Sequence, residues 1–206
     1  MRKCICKITN LKSLYYRVWG GDMKKSEIRE LLSKAKYGVN VINAYFRFDK
    51  VYYNLIPLEL NEKLFLVINE DDFIFDGYCI YRYKDLTKVK IKNDMCDKIL
   101  KDEGITSNII VPSVDISNWK SVFESLKIRN GNIIVEKQTI DGKGDEFVIG
   151  RIEKIYKNFA YVWNFDADGI WGDSPIRVPY SEITSITFGS RYVDTFSKYL
   201  DEPPFK

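Results

Sequence analysis

Apolar residues recur along this chain at helical spacing, then at strand spacing, and the whole order occurs twice. Ile28, Leu31, Leu32 and Ala35 mark one face of a helix that Ser26 can cap. Short runs rich in β-branched and aromatic residues follow over 39–45, 51–58, 64–69 and onward to residue 91. A second helix, capped by Asp115 or Ser117, is expected from Trp119, Val122, Phe123 and Leu126, and strand-like runs follow again. Gly38 and Gly131 sit just past the two helix ends, where a left-handed terminator belongs.

The two series align residue by residue. Tyr83-Lys84-Asp85-Leu86-Thr87-Lys88-Val89-Lys90-Ile91 matches Tyr180-Ser181-Glu182-Ile183-Thr184-Ser185-Ile186-Thr187-Phe188. At the same offset Met95, Cys96 and Ile99 meet Tyr192, Val193 and Phe196 in a closing helix. Upstream, 64–69 corresponds to 159–164, each an apolar strand ending in Asn. Likewise 51–58 corresponds to 147–155 and 39–45 to 133–137. Asp76-Gly77 faces Asp168-Gly169 across a second hairpin that is five residues longer. The unit is helix, five short strands and closing helix. The expected fold is mainly β with flanking helices: two tandem five-stranded small barrels over 23–104 and 105–206, behind a leader of residues 1–22.

Composition narrows the class. The 206 residues are 45% hydrophobic and 15% aromatic, a globular profile. The net charge of +3 is unevenly spread: Arg2, Lys3, Lys7, Lys12 and Arg17 face Asp22 alone in the leader, so residues 23–206 carry −1. No apolar run approaches the roughly 20 residues that span a bilayer. Lys7, Asn10 and Lys12 interrupt any signal-peptide core, so a cytoplasmic protein with reduced Cys4, Cys6, Cys79 and Cys96 is expected. Without His or a second cysteine pair at ligand spacing, Cys4-x-Cys6 does not complete a metal site, and no cofactor is expected.

A helix leading into five bent strands resembles the Sm-like, SH3-type small barrel, with the closer match over 147–200, where Ile176-Arg177-Val178-Pro179-Tyr180 leads into Ile183 to Gly189. The chain is similar to a group of bacterial proteins with paired barrels of this kind, and the resemblance implies a fold rather than a function. The loop motifs by which Sm and Hfq proteins read RNA are not matched: Lys88-Val89-Lys90 and Ser185-Ile186-Thr187 stand in the second-motif region.

Candidate chemistry is sparse. Asp71-Asp72 with Asp76-Gly77, and Asp166-Ala167-Asp168-Gly169, suggest calcium loops, but Arg177 occupies the twelfth position counted from Asp166, where a bidentate Glu is needed. Asp-Gly is a tight-turn signal instead. With no nucleophile elbow, Walker loop or His, the chain reads as non-enzymatic. Arg82, Lys84, Lys88, Lys90 and Lys92 form the densest basic stretch, either tracking a phosphate backbone or protecting an edge strand. Aromatic residues that alternate along strands, such as Tyr161 and Trp163, are expected in barrel cores or the seam. Trp171, with Ile170, Asp168 and Asp173 on the long hairpin, is either an exposed interface anchor or folded back on its barrel.

These features lead first to a protein-interaction module of immunity or regulatory type whose partner is another protein. RNA or single-stranded nucleic-acid binding through the basic strand is the second expectation. Two readings of the leader also compete. Residues 4–8 alternate like a first strand, whereas Met23-Lys24-Lys25-Ser26-Glu27 reads like a natural start running into a helix. If translation starts at Met23, the intact mass of the protein made from its native locus will lack residues 1–22; a product retaining them refutes that start.

Overall fold

The computed structural model describes residues 22–37 and 39–205. Residues 1–21, with Cys4 and Cys6, and the expected terminator Gly38 lie outside the described residues. The order is α1 (Lys25–Ala35), β1 (Ile42–Phe46), β2 (Tyr52–Leu60), β3 (Leu64–Asp71), β4 (Ile74–Arg82), β5 (Leu86–Ile91) and α2 (Met95–Asp102). A second series follows: α3 (Trp119–Arg129), β6 (Asn132–Lys137), β7 (Glu146–Ile155), β8 (Phe159–Asn164), β9 (Ile176–Pro179), β10 (Ser185–Phe188) and α4 (Arg191–Ser197). Among the described residues no helix is long and apolar enough to cross a membrane.

Two closed barrels are not what these strands build. They form one open, ten-stranded antiparallel sheet in the order β5-β1-β2-β3-β4-β10-β6-β7-β8-β9. The physical reason is that β4 spends its outer edge on β10 of the other series, pairing Tyr78 to Tyr81 with Phe188 to Ser185. Within each half the order is nevertheless the same, fifth strand, then first to fourth. A β-bulge also falls at the same place in both. Leu58 is skipped between Pro57 and Glu59, and Glu153 between Ile152 and Lys154, where the second and third strands of each half pair. Bulges bend and twist a strand at a fixed point, so the shared bulge gives both halves the same curvature.

Local signals differ in detail. Ser26 lies inside α1 rather than capping it; Lys24 holds the N-cap position without a side-chain bond. Asn118, not Asp115 or Ser117, caps α3 by accepting from the Ser121 amide, while Asp115 accepts from Ser117. Asn130 rather than Gly131 takes the left-handed position after α3, which an Asn side chain tolerates. The β3–β4 turn uses Asp72 and Phe73, both at positive φ, and not Asp76-Gly77. Gly77 lies within β4 at φ 74, where a Cβ would meet the Ser190 backbone at 2.7 Å. Asp76 accepts from the Arg191 amide at 2.7 Å, so this dipeptide docks the start of α4.

Three packed clusters hold the sheet. Under α1, Ile28, Leu32 and Ala35 pack with Ile42, Ala44, Leu55, Phe65, Val67 and Val89. The largest cluster joins both halves: the second half's inner face packs with α3, with Leu100 of α2, and with Leu58, Leu64, Leu66 and Ile68 of the first half. A third, smaller cluster lies between α4 and Ile134, Ile149 and Phe165. Both sheet edges are blocked against further pairing. Along β5, the Met23 amide donates to Thr87 O at 2.9 Å, and Lys25 reaches the carbonyls of Tyr83, Lys84 and Leu86. At the other edge, Pro179 ends a four-residue β9 that Pro175 precedes.

Because Phe123 is fully buried in the cluster that both halves share, its truncation destabilises both. Phe123→Ala is expected to cost about 3–5 kcal/mol. Hydrogen exchange should show amides of β2–β3 and β7–β8 losing protection by the same amount; a loss confined to β6–β10 refutes a common core.

Candidate functional site

The two halves differ most on one sheet face. In the first half, Leu64, Leu66 and Ile68 of β3 are at most 5% exposed, covered in the shared cluster by Leu100, Val114 and Ile116 and by α3. Their counterparts on β8 are Phe159, Tyr161 and Trp163, all half-buried. Between them Ala160 and Val162 point into the core at 0% exposure. Tyr161 and Trp163 therefore lie on the outer face, not in a core or seam, because strand alternation gives the inner positions to the smaller residues.

Arginines and lysines frame this aromatic row. Register places Lys154 and Arg177 on either side of Tyr161, and Arg151 opposite Trp163. The Arg177 guanidinium lies 4.3 Å from the Phe159 ring centroid. Tyr156, 43% exposed at the β7–β8 turn, stacks on Phe159 at 4.7 Å and meets Tyr161 edge-on at 5.9 Å. Trp163 donates its indole N–H to Glu153 at 3.2 Å and is overlaid by Phe205 at 6.2 Å. Gly150 permits the close β7–β8 approach: a Cβ there would stand 1.7 Å from the Trp163 carbonyl oxygen. The sequence signal for the row lies in the alignment of 64–69 with 159–164, where Leu64, Leu66 and Ile68 correspond to Phe159, Tyr161 and Trp163.

The hairpin residues are dispersed in role. Trp171 is half-buried, folded back onto Phe165 with ring centroids 5.5 Å apart, and its indole N–H donates to Asp201 O at 3.0 Å. Asp166 organises the turn by accepting from the amides of Asp168 and Ile170. Asp168, Asp173 and Ile170 are exposed, Ile170 at 64%.

The basic stretch is also divided. β5 is an edge strand, with Val89 in the core and Lys90 in solvent. Lys88 stands opposite Tyr45, its ammonium 5.9 Å from that ring. Lys92 cannot join a surface row: it is buried, 3.1 Å from the buried carboxylate of Glu70. Burial lowers the Lys92 pKa, but the Glu70 charge and hydrogen bond outweigh it and hold the pKa above its ordinary value. Arg82 and Lys84 turn away from β5 into a cleft between the halves. Cys79, buried at the seam 3.2 Å from Thr187 Oγ1, has its thiol pushed up to about 12 by burial. Among the described residues no three acidic, cysteine or histidine side chains gather as a metal site.

No protein-family model, curated protein or solved structure matches this chain.

Lys92 and Lys90 should separate cleanly by mutation. Lys92→Met leaves Glu70 buried and unpaired and is expected to cost about 3 kcal/mol in urea unfolding, against under about 0.5 kcal/mol for Lys90→Met. Since the folded pKa of Lys92 is raised, its contribution is fully present below the ordinary lysine value of 10.5 and is lost as pH climbs through the raised value. Equal losses in the two variants refute the buried pair.

Proposed function

We propose that the chain is a non-enzymatic protein-interaction module that docks an acidic partner on the outer face of β7–β9. One observation carries the reading. The same sheet face is aliphatic and covered by protein in the first half, but aromatic, arginine-bearing and uncovered from Tyr156 to Tyr161 in the second. Tyr, Trp and Arg dominate interface hot spots, and a contiguous aromatic patch at a surface marks a binding site. Lys154, Lys157, Arg151 and Arg177 outnumber Glu153 around it, which favours acidic groups opposite. Trp171 supports the hairpin beside this face rather than serving as its anchor.

Single-stranded nucleic acid is the second reading, favoured by the placement of Tyr156 and Tyr161, aromatic platforms of the kind on which bases stack, beside Lys154 and Arg177. A photo-crosslinking residue at Tyr156 distinguishes the two in cells. The protein reading expects an adduct that survives nuclease, is destroyed by protease, and falls at least about tenfold with Arg177→Glu. A nuclease-sensitive adduct transfers the function to nucleic acid, and no adduct at Tyr156 refutes this face.

A further inference from the structure

The seam between the halves opens into a cleft of about 430 Å³ that is separate from the β7–β9 face. Its first-half wall is cationic. Arg82 and Arg47 both bear on the carboxylate of Asp85, which is 3% exposed; Arg82 bonds it through Nε, and Arg47 Nε stands 3.8 Å away. Each guanidinium is fixed again by a carbonyl: Arg82 Nη1 donates to Ser181 O at 3.3 Å, and Arg47 Nη2 to Lys84 O. Two arginines on one carboxylate leave a surplus positive charge, already oriented. Lys84 is exposed beside them and has no carboxylate partner among the described residues. Behind this wall Lys25 sits on the Tyr83, Lys84 and Leu86 carbonyls, where burial and then the Arg47 charge lower its pKa.

The second-half wall differs. It brings Gln138, Thr139 and the 78% exposed Ile140, and Phe48 lies across from it. Its one acidic side chain, Asp141, is engaged by the Lys143 amide at 3.2 Å and the Thr139 hydroxyl at 3.3 Å. The cleft thus pairs preorganised guanidinium donors with a small apolar rim, the combination that holds a phosphate ester on an organic group.

We infer that this cleft binds the phosphate of a small phosphorylated molecule, with Arg47, Arg82 and Lys84 on the phosphate and Phe48 and Ile140 against the organic part. Adenosine 5′-monophosphate and inorganic phosphate are suitable probes, titrated by NMR or calorimetry against the full chain at low salt. The nucleotide is expected to bind with Kd below about 1 mM, and phosphate about tenfold more weakly. Arg47→Gln, which leaves Arg82 on Asp85, should weaken both about tenfold. Ile140→Ser should weaken the nucleotide alone. Should Arg47→Gln fail to fold, Lys84→Gln at the surface tests the same charge. Equal affinity for the two probes would confine the site to free phosphate and refute the apolar contact. Absence of binding by either probe at about 10 mM, or affinities unchanged in the cation variants, would overturn the site.

Discussion

Inside its own half strand β4 is paired on one side only, with β3, and the pairing of its other edge with β10 organises the rest of the molecule. An unpaired edge at that point would expose the backbone of β4 from Tyr78 to Tyr81. Side chains reinforce the ladder along its length: Tyr78 stacks on Phe188 at 5.3 Å, and Cys79 meets Thr187. Beyond either end, Arg82 donates to Ser181 O and Asp76 holds the Arg191 amide. Once β4 and β10 are joined, the outer face of the first half is carried against α2, the 109–118 connector and α3, and its Leu58, Leu64, Leu66 and Ile68 must be aliphatic.

That one commitment separates the fates of two similar units. Position by position they share a strand order, a bulge and a preceding helix, so their backbones present equivalent faces. Only one of the equivalent outer faces is consumed by the seam. The other is free to carry Phe159, Tyr161 and Arg177, side chains that a fully packed interior would accommodate poorly, since the guanidinium keeps its charge wherever it is placed.

Much of this was legible in the sequence because strand and helix periods are local signals. The pairing of 83–91 with 180–188 and the order of elements around it needed no tertiary information. What the sequence does not carry is which edge pairs with which. Nothing local tells β4 to join β10 rather than leave two separate barrels. The same gap misplaced several side chains. Lys92 reads like Lys88 and Lys90 by alternation, but only the fold reveals Glu70 beside it. Gly77 reads as a turn, yet its lack of a Cβ serves a contact with Ser190, 113 residues away in the chain. Tyr161 and Trp163 read as core or seam because aromatic residues usually are buried, whereas Ala160 and Val162 take the inner positions.

The seam also decides where charge collects. Joining the halves brings the turn at Tyr83–Asp85 against the 138–141 loop, and Arg47, Arg82 and Lys84 come together around the single buried carboxylate of Asp85. A near-neutral body thereby acquires local fields that its totals conceal. The cost of desolvating the Asp85 carboxylate is offset by two guanidinium groups, and the surplus cation remains 42% exposed at Arg47, where water screens it. Charge that water screens is also charge that a ligand can reach. The cleft and the aromatic face are thus both consequences of one pairing: the first is made by closing the seam, the second is the face that closing it left uncovered.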